Sequence, residues 1–221
     1  MLSARNNQTL KFSYQVESII AEIRSKCYLA AKRTMDVLIS LSAIIICSPF
    51  MLLVAGLIKV TSRGPVFYRQ ERCTKDGRVF WLYKFRSMPH NIEQCNGPKW
   101  GKTDDPRSTT FGRVMRILLI DELPQLVNVL KGDMSLVGPR PERPFFIEKF
   151  RHSVKDYDLR MEVKAGLTGW AQVNGYRGNT SIVKRVEHDL HYINNQSILF
   201  DIMIILMTPF SIRLAKSTHS N

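Results

Sequence analysis

The sequence predicts an α+β fold, mostly helical and membrane-associated, with a small β-hairpin and surface helices of amphipathic character. Three observations predict it. Met35 to Val60 is almost continuously apolar, strand-like runs flank Lys75-Asp76-Gly77, and Leu123, Leu126, Val127 and Leu130 recur at helical spacing. The 221-residue chain carries 32 Lys and Arg against 19 Asp and Glu, a formal net charge of +13, which calls for anionic partners. With 44% hydrophobic and 23% charged residues, the composition excludes a polytopic membrane bundle and a disordered tail.

Residues 1–31 form an N-terminal segment in which Ile19, Ile20 and Ile23 predict a short surface helix. The segment is polar and charged and lacks the features of a secretory signal, so the basic domain is expected to stay inside the cell. Cys27, Cys47, Cys73 and Cys95 are scattered, which argues for reduced thiols and against a disulfide scaffold or a CxxC site. Residues 32–62 hold the apolar run, long enough at roughly 1.5 Å per residue to cross a hydrocarbon core of about 30 Å. Pro49 removes the hydrogen bond to the Ile45 carbonyl, and the Ser48 hydroxyl can satisfy a freed backbone group. Basic residues stand at both ends, Lys32 and Arg33 before the run and Lys59 and Arg63 after it. A spanning helix and a hairpin that returns to its own side are both compatible with this pattern.

Beyond the apolar run, Arg63-Gly64-Pro65 is a turn, and Val66–Tyr68 with Val79–Phe85 reads as a β-hairpin carrying Arg69, Arg72, Lys84 and Arg86. Residues 89–110 read as a loop. Asp121 and Glu122 are helix-start signals for the apolar period that follows, and Gly132 is its stop. Pro139, Pro141 and Pro144 frame Arg140 and Arg143 in a rigid turn; a helix is expected from Pro144 through Arg151, and Gly166, Gly169 and Gly175 break up the next stretch. Ile198–Phe210 contains Asp201 and is too short to span, so it reads as an interfacial amphipathic helix.

A helix start would keep Asp121 ionised and could hold a phosphate nearby, which is the environment of a carboxylate nucleophile. Attack on a phosphoryl centre would form an acyl phosphate and needs cations on the phosphate oxygens. Arg116, Arg140, Arg143, Lys84 and Arg86 are the candidates. The plainer alternatives are a helix cap with a solvated acid beside it, and Arg140 as a surface turn residue. Asp104-Asp105 could chelate a metal but more commonly such a pair is solvated, and His188 with His191 lacks a third spaced zinc ligand. No helix-turn-helix, RNA-binding aromatic signature or Cys/His finger is visible, and anionic lipid headgroups suit the basic charge beside an apolar segment, so nucleic acid is not expected as a partner.

Several strings are more specific than spacing arguments: Lys32-Arg33 with Asp36, Ser48-Pro49, YRQER, YKFRSM, DDPRSTTFGRVMR, DELPQLVNVLKGDMSLVGPRPE and GLTGWAQVNGYRG. Together, over residues 30–210, they resemble the monotopic phosphoglycosyl transferases, the bacterial sugar transferases that initiate exopolysaccharide, capsule or O-antigen assembly. The resemblance implies transfer of a hexose-1-phosphate, glucose-1-phosphate or galactose-1-phosphate, from a UDP-sugar to undecaprenyl phosphate with release of UMP. It implies Mg2+ as cofactor, Asp121 as nucleophile and metal ligand, and Glu122 as its dyad partner. Arg116 would bind phosphate, Pro139-Arg140-Pro141 would shape the nucleotide pocket, and Lys84, Arg86, Arg72 and Arg143 would complete a substrate-binding set of cations.

The resemblance also implies a re-entrant helix kinked at Ser48 and Pro49, entering and leaving one face of the bilayer. Residues 63–221 would then be a catalytic domain on the cytoplasmic side of the bacterial inner membrane, in a catalytic-domain-only form, with homo-oligomerisation open. The sequence departs from the usual pattern at Cys73-Thr74, Ile120 and Ala165. The rival class is a membrane-tethered basic adaptor, which would need neither the acid pair nor the Pro-Arg-Pro turn.

Overall fold

The computed structural model describes residues 2–89 and 107–217, and the chain divides into two compact units, Met1–Met35 and Asp36–Asn221. Asp104, Asp105 and Cys95 lie outside the described residues. The first unit belongs to helix α1 (Leu2–Thr61), so the short N-terminal helix is instead part of a much longer one. The reason is local: neither glycine nor proline occurs between Leu2 and Ser48. Within this unit Glu22 pairs with Lys26 at 2.8 Å one turn on, and the Lys32 amine lies 6.0 Å from the Tyr28 ring centre.

The second unit begins on the apolar part of α1. Ser25–Thr61 of α1 has the length and apolar composition to cross a membrane. Pro49 lies inside the helix, and the Ser48 hydroxyl donates to the Ile45 carbonyl at 2.9 Å, the carbonyl that Pro49 leaves without its amide partner. Near the end of α1, Val54 and Ile58 are buried with Phe85 and Met115.

The expected hairpin is present. β1 (Phe67–Cys73) and β2 (Val79–Phe85) pair antiparallel, with Phe67 opposite Phe85 and Cys73 opposite Val79. Alternation along β2 buries Phe80 and Leu82 and exposes Val79 and Trp81. The chain continues through α2 (Thr110–Ile117), a 3-10 turn at Ile120–Glu122, α3 (Gln125–Lys131) and β3 (Ser135–Val137). Then follow α4 (Pro144–Arg151), a 3-10 turn at Tyr157–Met161, β4 (Gly166–Thr168), α5 (Trp170–Val173), α6 (Ile182–Asn194) and α7 (Ile198–Ser217). The stop at Gly132 has the left-handed φ of 84° that ends α3, and α4 has the expected bounds.

The main core joins Phe80 and Leu82 of β2 to Leu126 and Val129 of α3, Leu136 and Val137 of β3, and Tyr192 and Ile204 of the last two helices. β3 and β4 run parallel at very close range: a side chain at Gly138 would meet the Lys164 carbonyl at 2.4 Å, and one at Gly166 would meet the Gly138 amide at 2.1 Å. Glycine is therefore required where the chain leaves β3 for the Pro-Arg-Pro turn. The C-terminal apolar run is helical as expected, but Asp201 belongs to the core. It is buried and accepts the Tyr192 hydroxyl at 2.7 Å, while Leu199, Leu206 and Phe210 are exposed.

Candidate active site

Asp121 and Glu122 do not stand at the start of a helix. They occupy the 3-10 turn before α3, whose N-cap position is taken by Pro124 without a side-chain cap. Leu119, in the left-handed region at φ 58°, reverses the chain just ahead of them, and both carboxylates are buried. Burial and neighbouring cations, rather than a helix dipole, set their electrostatics.

Glu122 is the hub. Arg140 forks onto it, Nη2 to Oε1 at 2.5 Å and Nη1 to Oε2 at 3.2 Å, and Lys84 Nζ donates to Oε1 at 2.8 Å. Arg177 Nη2 lies 3.6 Å from Oε2, and Gln172 Oε1 accepts from Arg140 Nη1 at 3.1 Å. Burial alone would push the Glu122 carboxyl up; Arg140, Lys84 and Arg177, with the Arg140 hydrogen bond, outweigh it and hold the group well below the usual carboxylate range.

Asp121 has a different setting. Its Oδ2 is 4.0 Å from Lys84 Nζ, and its Oδ1 is buried without a hydrogen-bond partner among the described residues. Burial pushes its carboxyl up, Lys84 pulls it down, the Glu122 charge pushes it up again, and the net direction is upward. Two adjacent carboxylates thus sit among four cations, Lys84, Arg116, Arg140 and Arg177, whose fields reach one or both. The surplus positive charge suits a polyanion such as a diphosphate, and the orphaned Oδ1 is an acceptor without a partner.

The predicted residues fall into three places. Lys84 and Arg140 are in contact with the dyad, and Arg116 acts on Asp121 through its charge while its Nη1 donates to the Ser108 hydroxyl at 3.2 Å. Arg72 lies behind the Pro-Arg-Pro turn: its Nη1 donates to the Pro141 carbonyl at 3.2 Å and lies 3.6 Å from Glu142. Pro139 and Pro141 are buried and line a cavity of about 20 Å³ with Cys73, Tyr157 and Arg160. Arg143 caps α4, its carbonyl accepting from the Phe146 and Ile147 amides. Arg86 meets the end of α1, donating through Nη2 to the Ser62 carbonyl at 2.8 Å and the Ser62 hydroxyl at 2.6 Å.

Arg177 and Gln172 were not among the residues singled out from sequence. Arg177 lies between Gly175 and Gly178, both with positive φ, and this pair of turn glycines around an arginine is the signal that could have found it. His188 and His191 are occupied elsewhere: the His188 ring packs on Tyr176 at 4.5 Å and His191 lies 6.0 Å from Trp170. Among the described residues no three His, Cys, Asp or Glu side chains gather for a metal. For a hard divalent ion the dyad would offer the Asp121 carboxylate, whose Oδ1 is buried without a partner, with the remaining ligands coming from phosphate oxygens and water.

A sequence profile of the bacterial sugar transferases matches residues 27–214. The UDP-N-acetylgalactosamine-undecaprenyl-phosphate N-acetylgalactosaminephosphotransferase of Aeromonas hydrophila is 46% identical over 186 residues, 83% of this chain and 44% of that protein. The UDP-glucose:undecaprenyl-phosphate glucose-1-phosphate transferase of Escherichia coli K12 is 42% identical over 183 residues, 81% of this chain and 39% of that protein. The chain therefore spans less than half the length of these two relatives. The exopolysaccharide production protein PSS of Rhizobium leguminosarum bv. phaseoli is 40% identical over 83% of this chain and 95% of its own length. The profile match over most of the chain, with relatives at these identities, makes the chain a member of the bacterial sugar transferase family.

Proposed function

We propose that this chain transfers a hexose-1-phosphate from a UDP-sugar to undecaprenyl phosphate through a covalent intermediate on Asp121. The observation that carries the reading is the buried, unpartnered Asp121 Oδ1 beside a glutamate that gathers three cations. In the first half-reaction Oδ1 attacks the β-phosphorus of the donor and the bond from that phosphorus to the bridging oxygen breaks. UMP leaves, and an aspartyl phosphosugar remains. In the second, a phosphate oxygen of undecaprenyl phosphate attacks the same phosphorus, the acyl phosphate bond breaks, and the Asp121 carboxylate is restored with sugar-diphospho-undecaprenol as product.

Lys84, Arg116 and Arg177 neutralise the diphosphate oxygens, and Glu122 holds Lys84 and Arg140 in register with Asp121. Mg2+, if held beside the Asp121 carboxylate by the donor phosphates, would supply further charge neutralisation at the phosphoryl group. Glucose-1-phosphate and galactose-1-phosphate are the first donors to test, and the named relatives add N-acetylgalactosamine-1-phosphate.

The same reading places the chain at the cytoplasmic face of the inner membrane. A lipid phosphate and a water-soluble nucleotide sugar meet at the headgroup plane, which α1 reaches if it re-enters at Ser48-Pro49 and returns to the side it came from. The domain division at residues 1–31, 32–62 and 63–221 follows from this topology. The test is UMP release by purified protein in lipid nanodiscs with UDP-glucose, UDP-galactose or UDP-N-acetylgalactosamine, undecaprenyl phosphate and Mg2+. UMP formed with one donor supports the reading; its absence with all three, in protein that remains folded, overturns it for these donors.

A further inference from the structure

Two charged residues one turn apart on α6, Arg185 and Asp189, are almost wholly buried and reach the two turns that carry the arginines of Glu122. Asp189 Oδ2 accepts from Arg160 Nε at 3.0 Å and from Nη2 at 2.7 Å. The same Nη2 donates to the backbone carbonyl of Arg140 at 3.1 Å, and Arg160 Nη1 donates to the Tyr157 hydroxyl at 3.1 Å. Asp189 thus holds Arg160, and Arg160 holds the main chain from which the Arg140 fork extends.

Arg185 serves the other turn. Its Nη1 donates to Glu142 Oε1 at 2.8 Å, two residues beyond Arg140, and its Nη2 donates to the Gly178 carbonyl at 2.8 Å, next to Arg177. One guanidinium therefore ties the Pro-Arg-Pro turn to the turn between α5 and α6.

Burying this many charges is a poor route to stability alone, since apolar side chains of similar volume fill a core as well or better. What a buried, forked ion pair provides is a fixed distance and direction. We infer that α6 is the positioning element of the active site, with Asp189, through Arg160, and Arg185, through Glu142 and Gly178, setting where Arg140 and Arg177 stand against Glu122. The inference rests on the transfer reading for its kinetic consequences, while its geometric content stands apart from activity.

Arg185→Lys keeps the charge but loses the fork that spans Glu142 and Gly178. In nanodiscs its kcat/KM for the UDP-sugar should fall by about 10²-fold, the scale of a misplacement of about 1 Å, with the KM for undecaprenyl phosphate unchanged. Combined with Arg177→Lys, the loss should be smaller than the product of the two single losses, because part of the effect of Arg185 acts through Arg177. Multiplying losses, or an unchanged kcat/KM in Arg185→Lys, would overturn the inference.

The second readout needs no turnover: the 15N-labelled guanidinium signals of Arg140 and Arg177, followed by NMR in the wild type and the variants. The Nη signals of the Arg140 fork should be shifted and protected from exchange in the wild type and move toward the free-arginine position in Asp189→Asn and Arg185→Lys. Unmoved Arg140 and Arg177 signals in folded Arg185→Lys overturn the inference whatever the activity. Absence of transfer by the wild type, with the guanidinium signals moved in the variants, overturns the transfer reading alone.

Discussion

At Asp121 burial is the larger influence and the carboxyl is pushed up, whereas at Glu122 three cations outweigh the same burial and the carboxyl is held down. The two residues therefore contribute to stability with opposite sign. A carboxyl whose folded pKa is raised loses stability as pH rises from its unfolded value through its folded one, so at neutral pH ionised Asp121 is a cost. Asp121→Asn should raise the melting temperature at pH 7, by roughly 2–4 °C for a gain of about 1 kcal/mol, while lowering transfer by roughly 10⁴-fold or more.

Glu122, with its folded pKa depressed, contributes stability that is full above the ordinary glutamate value and lost as pH falls through the lower folded one. Glu122→Gln leaves Lys84, Arg140 and Arg177 facing one another and should cost about 3 kcal/mol. Thermal melts of the two variants side by side check both signs. Because Glu122 stays ionised far into acid, the acid limb of the transfer rate should belong to Asp121 and lie above the ordinary aspartate value. At this scale the sequence showed the acids and the cations but not their division of labour, since burial and the orphaned oxygen come from the fold.

The elements show where local reading succeeds and where it stops. Strand alternation and the Lys75-Asp76-Gly77 turn identified the hairpin, and Gly132 and Pro144 marked a helix end and a helix start because their backbone preferences are strong. Asp121-Glu122 carries the signature of a helix start, yet Leu119 turns left-handed before it and Pro124 takes the cap position. Leucine has no preference that announces such a conformation, which costs an L-residue roughly 1–2 kcal/mol. Leu119→Ile adds a β-branch at that φ and should lower the melting temperature and transfer together. Leu119→Gly relieves the backbone and should lower neither by the same amount. If both variants melt alike, the left-handed turn is not what holds the acids in place.

On the scale of the whole molecule, the apolar run was legible because no other segment is both long and apolar enough to cross a membrane among the described residues. Its route through a bilayer needs a label on each side of it. Cys27 is exposed but Cys73 is buried, so the second reporter is better placed by Lys75→Cys on the exposed turn of the hairpin. A membrane-impermeant thiol reagent should reach neither position in intact spheroplasts and both in inverted vesicles; labelling of Cys27 alone from outside would establish a spanning helix. The long-range pairings of α6 had no counterpart in sequence spacing, because Arg185 and Asp189 meet partners far away along the chain. The central claim, covalent transfer through Asp121, is tested most directly by the intact mass of the protein after mixing with UDP-glucose, UDP-galactose or UDP-N-acetylgalactosamine and Mg2+ in the absence of undecaprenyl phosphate. One donor should add the mass of its sugar phosphate less one water, mapped to Asp121, lost on adding undecaprenyl phosphate and never formed in Asp121→Asn. Unmodified protein that nonetheless releases UMP when both substrates are present would contradict the account.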